Sequence, residues 1–109
     1  MSNIITYDEF MKVDMRVAKV LEAEKVPNSE NLIKLIVDLG TEKRQIVAGL
    51  AKWYSPDYFV GKLIIVVTNL QPRKIRGVLS EGMLLAADSL DKPIVLTVME
   101  DVAPGTRIR

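Results

Sequence analysis

Apolar and polar residues alternate along much of the chain, and this period of two is typical of half-exposed β-strands. The clearest example is LIKLIVDL at 32–39, whose odd positions are all apolar and whose even positions include Lys34 and Asp38. A turn at 40–42 separates it from RQIVAG at 44–49, so the two segments predict a hairpin. We expect this hairpin to bring Lys34 and Arg44 onto one solvent-facing side.

Four further segments are predicted to be strands: MRVAKVLEAEKV at 15–26, KLIIVVT at 62–68, MLLAA at 83–87 and IVLTVM at 94–99. The alternation of the first slips phase at residues 18–19, which predicts a β-bulge in a long, curved strand. The segment 62–68 is apolar at successive positions, which predicts a strand buried on both sides or nearly so.

Two short helices are predicted beside these strands. YDEFMK at 7–12 carries Asp8 and Glu9 where a helix begins, and Ser55-Pro56 has a capping residue followed by proline. Three strands, a short helix and further strands favour an all-β fold with short helices, the five-stranded Greek-key barrel of the oligonucleotide/oligosaccharide-binding (OB) fold, plus a C-terminal extension. An SH3-like small barrel fits the pattern almost as well.

Length and hydropathy set the size of the fold. The chain has 109 residues, which predicts one domain over 1–109, and 49% of them are hydrophobic. This proportion of hydrophobic residues is slightly high for an isolated domain, so an apolar subunit interface is kept as an alternative. Apolar runs reach only five residues and the N-terminus lacks a signal-peptide pattern. We therefore expect a cytoplasmic protein with no membrane segment.

The chain contains no cysteine and no histidine. Disulfides, thiolate nucleophiles, nitrogen and sulfur zinc ligands and the commonest general base are thereby excluded. Ser80 lies in GVLSEG, which lacks the G-x-S-x-G nucleophile elbow, and no phosphate-loop motif follows Gly77 or Gly82. The sequence predicts a protein that is not an enzyme and needs no cofactor or metal.

Charge is unevenly distributed although the net charge is only +1. Residues 43–76 carry +6, whereas 1–42 carry −3 and 77–109 carry −2. The densest cluster is PRKIR at 72–76, where Arg73, Lys74 and Arg76 stand beside Pro72. A polarised surface of this kind attracts anionic partners. The cluster is either a solvated basic hairpin tip or a phosphate-binding loop whose approach Pro72 stiffens.

Long stretches of the chain resemble the tRNA-binding domain family. They are VDMRVAKV (13–20), VPNSENLIKLIVDLG (26–40), RQIVAGLAKWYSP (44–56) and GKLIIVVTNLQPRKIRGVLSEGMLLAA (61–87), of which 69–83 is the most specific. That family includes the C-terminal domain or separate β subunit of methionyl-tRNA synthetases and stand-alone dimeric tRNA-binding proteins. The resemblance implies an OB-fold barrel that grips tRNA by its shape.

The expected tRNA-binding residues fall into three groups. The loop supplies Arg73, Lys74 and Arg76, and the strand face adds Lys34, Arg44 and Lys52. The resemblance places Asn69, Ser80 and Met83 around the RNA surface, where an amide, a hydroxyl and a thioether suit phosphate, ribose and base. Glu81 is expected to orient an arginine, and the aromatic residues at 53–59 are expected to belong to the core or to plug the barrel.

The predicted function is non-catalytic, structure-specific tRNA binding, either as the detached β subunit of methionyl-tRNA synthetase or as a free-standing relative. A homodimer joined through PIVLTVM (93–99) and MKVDMRV (11–17) is expected, with a methionyl-tRNA synthetase catalytic chain as a further partner. Two alternatives stay open. One is the export-related, chaperone-like peptide-binding dimer of the same family, and the other is a generic binder of single-stranded nucleic acid.

Overall fold

The computed structural model describes residues 3–109. Its helical elements are α1 (Tyr7–Met11) and a 3₁₀ turn at Pro56–Tyr58. Its strands are β1 (Met15–Lys25), β2 (Ile33–Asp38), β3 (Lys43–Ala48), β4 (Leu63–Val67), β5 (Arg73–Ile75), β6 (Val78–Ser80), β7 (Met83–Leu84), β8 (Ala86–Asp88), β9 (Pro93–Val95) and β10 (Arg107–Ile108). None of the helices in residues 3–109 is long and apolar enough to span a bilayer.

The strands form a nearly closed antiparallel barrel in the order β3-β2-β1-β4-β7, with β10 added beside β1. β1 is shared between two parts of the sheet, because its first half pairs with β4 and its second half with β2. The register with β2 shifts between Val20 and Glu22, so the bulge lies slightly later than the phase slip at 18–19 predicted. The predicted OB-like barrel is confirmed.

The barrel interior follows from the alternation read in the sequence. In β2, Ile33, Leu35 and Val37 are fully buried, while the residues between them stay partly exposed. Phe59, just after the 3₁₀ turn, is the largest buried side chain and packs in the same core. Ser55 occupies the cap position of that turn but makes no capping hydrogen bond with its side chain.

The register of the predicted β2–β3 hairpin separates Lys34 from Arg44. Val37 lies opposite Arg44, and Lys34 lies opposite Val47. Residues directly opposite one another share a face of the sheet, so Arg44 is on the core-facing side with Val37 and Lys34 is on the outer side. The hairpin is confirmed, but the expectation that both cations share a solvent face is wrong.

The C-terminal third differs most from the strand predictions. The expected strand at 83–87 is divided between β7, which pairs with β4, and β8, which pairs with β9 in a separate two-stranded sheet. The expected strand at 94–99 is reduced to β9, and the tail returns to β1 as β10. The cationic loop expected at 72–76 is part of the hairpin β5–β6, which spans residues 73–80.

Candidate functional site

The cationic segment is a tight β-hairpin and not an open loop. Ile75 pairs with Val78, and the two residues between them, Arg76 and Gly77, have φ angles of 53° and 78°. Positive φ at both central positions matches a type I′ turn, whose twist suits antiparallel strands. The available signal was a two-residue segment ending in glycine, Arg76-Gly77, between two β-branched residues, and Arg76 concealed it because non-glycine residues seldom adopt this conformation.

Apolar contacts fix this hairpin to the outside of the barrel. Ile75 and Val78 pack against a small buried cluster of Val26, Leu32 and Val47. The next segment is tied down by hydrogen bonds to β3, since the Glu81 N–H donates to the Gln45 carbonyl over 2.8 Å. The hairpin is therefore attached to the barrel both beside its turn, through Ile75 and Val78, and just beyond its second strand, through Glu81.

Three cations on this hairpin are exposed. Among the residues that the structure describes, none forms a salt bridge or a hydrogen bond with the side chain of Arg73, Lys74 or Arg76. Arg73 and Lys74 point to opposite sides because they are consecutive in a strand, and Arg76 is in the turn. The hairpin therefore presents positive charge in several directions around its end.

Two of the strand-face cations are paired with carboxylates. The Lys34 Nζ lies 2.7 Å from Glu24 Oε1, and the Arg44 Nη2 lies 2.7 Å from Glu42 Oε1. Arg44 also donates from Nη1 to the carbonyl of Thr68 and to that of Glu81, the latter over 3.3 Å. Arg44 thus connects β3 to the ends of β4 and β6, which is a structural role.

Lys52 keeps an unpaired charge. It is exposed on the segment after β3, and nowhere in residues 3–109 is there a carboxylate paired with it. Glu81 was expected to orient an arginine, and it does so through its backbone carbonyl, whereas its carboxylate accepts from the Gln45 N–H over 3.2 Å.

Asn69 and Ser80 have their polar groups engaged within the fold. Asn69 accepts from the Asp14 N–H at 2.9 Å and donates to the Lys12 carbonyl at 2.6 Å. Ser80 is buried, and its Oγ accepts from the Val47 N–H at 3.0 Å and donates to the Gly82 carbonyl at 2.9 Å. Met83 differs, because it is 47% exposed and its thioether is accessible.

A polar cluster at one end of the barrel was not predicted. The Asp14 carboxylate accepts from Arg16 Nε at 3.1 Å and from the Thr68 hydroxyl, and Arg107 Nε lies 3.7 Å away. The hydrogen bond from Arg16, followed by that from Thr68, lowers the pKa of Asp14 below its ordinary value. Thr68 and Arg107 are far from Asp14 in the sequence, so the local pair Asp14 and Arg16 could not by itself have revealed the cluster.

The aromatic residues at 53–59 are only partly core. Phe59 is buried as expected, but Trp53 and Tyr58 are exposed, so that prediction is wrong for both. Tyr58 stacks on Tyr54 with ring centroids 5.2 Å apart, and Lys62 Nζ lies 4.2 Å from the Tyr58 ring. Within residues 3–109, no three acidic side chains are grouped as metal ligands.

Comparison with known proteins identifies the family. The family model described as "Putative tRNA binding domain" matches residues 15–107, which include the barrel and the cationic hairpin. The chain belongs to the tRNA-binding domain family.

Relatives of this tRNA-binding domain include long and short proteins. A methionine–tRNA ligase of Thermotoga maritima is 61% identical over 106 residues, which cover 97% of this chain and 17% of the ligase. A methionine–tRNA ligase of Archaeoglobus fulgidus is 50% identical over 104 residues, covering 95% of this chain and 16% of the ligase. The chain thus spans about one sixth of the length of these curated relatives.

Solved structures match nearly the full length of this chain. A MetRS related protein from Pyrococcus horikoshii superposes with a TM-score of 0.93 and 44% identity, covering 98% of this chain and 99% of that one. The chaperone CsaA from Bacillus anthracis superposes with a TM-score of 0.86 and 27% identity, covering 97% and 99% respectively.

Proposed function

We propose that this chain binds folded tRNA, without catalysing a reaction, through the exposed end of the β5–β6 hairpin. The observation that carries the proposal is the set of unpaired side chains Arg73, Lys74 and Arg76 on a hairpin packed against the barrel. Phosphate groups of RNA are the ligands that such a cluster attracts. Membership of the tRNA-binding domain family supports tRNA as the RNA that this hairpin binds.

The other expected site residues contribute in different ways. Lys52 adds a free cation, and Met83 offers an exposed thioether next to the hairpin. Asn69 and Ser80 act indirectly, because their hydrogen bonds hold the chain segments on either side of the hairpin. Lys34 and Arg44 are excluded from the proposed contact surface, since each is paired with a glutamate.

Recognition of tRNA through its backbone explains how a small domain handles a folded RNA. The hairpin offers charge to phosphates and places few side chains where base edges are read, so binding depends on RNA shape. We further propose that the domain serves a methionyl-tRNA synthetase, fused to it or as a separate chain, by holding tRNA for a catalytic site located elsewhere. The ligase relatives support this association.

Salt dependence tests the proposed mode of binding. If about six phosphates are contacted, tRNA affinity is expected to fall by roughly 1,000-fold between 50 and 200 mM salt, because each contact releases counterions. Fluorescence anisotropy with labelled tRNA measures this, and an oligo-dT competitor distinguishes folded RNA from generic single strands. Binding that barely changes with salt, or equal competition by oligo-dT, would contradict the proposal.

A second candidate function is chaperone-like binding of unfolded polypeptides. It is favoured by the superposition on CsaA proteins, which reaches a TM-score of 0.89 for that of Picrophilus torridus. The same anisotropy assay with a labelled, reduced and unfolded polypeptide separates the candidates. Tight polypeptide binding in the absence of tRNA binding would favour the chaperone function.

We also propose that the chain forms a homodimer through its two terminal regions. Ile5 and Tyr7 near the N-terminus and Ile94, Leu96 and Met99 near the C-terminus are apolar and exposed. MKVDMRV contributes less than expected, because Val17 within it is fully buried in the barrel. An apolar surface divided between both ends is suited to a two-fold interface.

Sedimentation equilibrium tests the dimer. The chain is expected to sediment at twice its mass of 12.2 kDa, and the double change Ile94→Glu and Leu96→Glu is expected to halve the observed mass by burying charge at the interface. Val60→Glu, at an exposed valine beside the 3₁₀ turn, serves as the control and leaves the mass unchanged. A monomeric wild-type chain would refute this part of the proposal.

A further inference from the structure

A cleft adjoins the cationic hairpin and differs from it in chemistry. Its lining includes the buried Val47 and half-buried Ile75, together with the exposed side chains of Leu70, Pro72 and Met83. Its volume of about 560 Å³ is within the range of small-ligand sites. The apolar residues leave room for a flat, weakly polar group about the size of a heterocyclic base.

Arg73 gives this cleft a cation. It lines the cleft and lies on the same side of β5 as Ile75, and its guanidinium makes no hydrogen bond to any residue in the described range 3–109. Ser80 also lines the cleft, but its hydroxyl is already used by the Val47 N–H and the Gly82 carbonyl. An apolar slot beside an unpaired guanidinium suits a ligand with a flat apolar face and an attached anion.

We propose that this cleft receives one unstacked nucleobase of the bound tRNA, with the phosphate of that nucleotide on Arg73. The inference rests on the proposed function and specifies it further. Met83 lies along the base face, where a polarisable thioether packs well against an aromatic ring. The cleft would then select RNAs that present an unpaired base at this distance from the phosphates held by Lys74 and Arg76.

Charge favours a nucleotide over an acidic peptide as the occupant. Three cations within four positions match a polymer with an anion at every unit, and the base supplies the apolar surface between the anions. A peptide would need alternating acidic and apolar side chains to match both the cations and the apolar cleft. Each nucleotide carries an anionic phosphate and a flat base, so one unit matches both.

The test combines a base probe with a matched pair of variants. A methionine tRNA transcript carrying 2-aminopurine at one unpaired position at a time is titrated with the whole chain. One position is expected to respond with a fluorescence change on binding, since the probe leaves its RNA neighbours and enters the cleft. Met83→Ala is expected to weaken tRNA binding by roughly 2- to 13-fold, the range for loss of one contact between a thioether and an aromatic ring, and to abolish that response.

The salt slope distinguishes this base contact from the phosphate contacts. Met83→Ala is expected to leave the slope of log affinity against log salt unchanged, because no charge is removed. Met83→Leu keeps the apolar wall and is expected to restore most of the affinity. The control is Leu79→Ala, since Leu79 is 40% exposed on the other side of the hairpin, opposite Lys74, and does not line the cleft.

Failure of the inference and failure of the proposed function give different results. Steeply salt-dependent tRNA binding that is unaffected by Met83→Ala, with no 2-aminopurine response at any position, overturns the base-binding cleft alone. Loss of binding in Leu79→Ala as well as in Met83→Ala also overturns it, because the effect would not be specific to the cleft. Absence of tRNA binding by the wild-type chain, with an acidic apolar peptide bound instead, overturns both.

Discussion

Replacing Arg73, Lys74 and Arg76 together by alanine is expected to weaken tRNA binding by on the order of 100-fold or more while the barrel stays folded. Each removed phosphate contact is worth about 1 kcal/mol or more, and three such losses give that factor. The salt slope should also fall by about 2 to 3, because three fewer counterions are released on binding. Anisotropy titrations at several salt concentrations measure both effects.

The fold should tolerate this triple substitution because the three side chains are exposed and unpaired within the described chain. Ile75 and Val78, which attach the hairpin to the barrel, are left intact. The matched control replaces Lys12, Lys19 and Lys25 by alanine, which removes the same net charge from exposed positions near and along β1. Equal loss of affinity in both variants would show that overall charge, and not this hairpin, attracts the RNA.

Gly82→Ala is expected to destabilise the chain by about 3 kcal/mol or more. Gly82 has a φ of 145°, and a Cβ added there would lie 2.8 Å from the Val67 carbonyl oxygen and 3.1 Å from Ile46 Cδ1. Backbone strain and overpacking each cost about 1–3 kcal/mol, and a backbone carbonyl inside a barrel has little freedom to move. Thermal unfolding should show a fall in Tm of about 12 °C or more.

Gly77→Ala provides the comparison within the same segment. Gly77 also has a positive φ of 78°, but a Cβ added there would meet nothing within 4 Å. Only the cost of placing alanine at a positive φ applies, so the free energy of unfolding is expected to fall by about 1 kcal/mol. Equal losses at the two positions would mean that close approach to Val67 does not limit this segment, contrary to the structure.

The Gly82 contact bears on function through the residues beside it. Ser80 and Met83 stand where they do because the 80–83 segment runs close against β3 and β4. A shift of this segment would move the exposed thioether and loosen the base of the cationic hairpin. Stability of the barrel wall and geometry of the proposed tRNA surface therefore depend on the same few backbone contacts.

The sequence by itself determined the strands that are long and regularly patterned. Alternation over 32–39 set the buried face of β2, and the turn at 40–42 set the hairpin with β3, because the period of two is a local property of a strand. The cluster at 72–76 and the absence of cysteine and histidine were likewise readable from residue order and composition. The strand pattern favoured a small barrel, and the resemblance of segments such as 69–83 to the tRNA-binding domain family indicated the family.

Only the tertiary structure decided which cations are free. Register across the β2–β3 hairpin put Arg44 and Lys34 on opposite faces, since a shift of one residue moves a side chain to the other side. Glu24 pairs with Lys34 and Glu42 pairs with Arg44. The side chains of Asn69 and Ser80 form hydrogen bonds with backbone groups. Arg73, Lys74 and Arg76 stay unpaired because no described carboxylate lies within salt-bridge distance of them, and that is decided only in three dimensions.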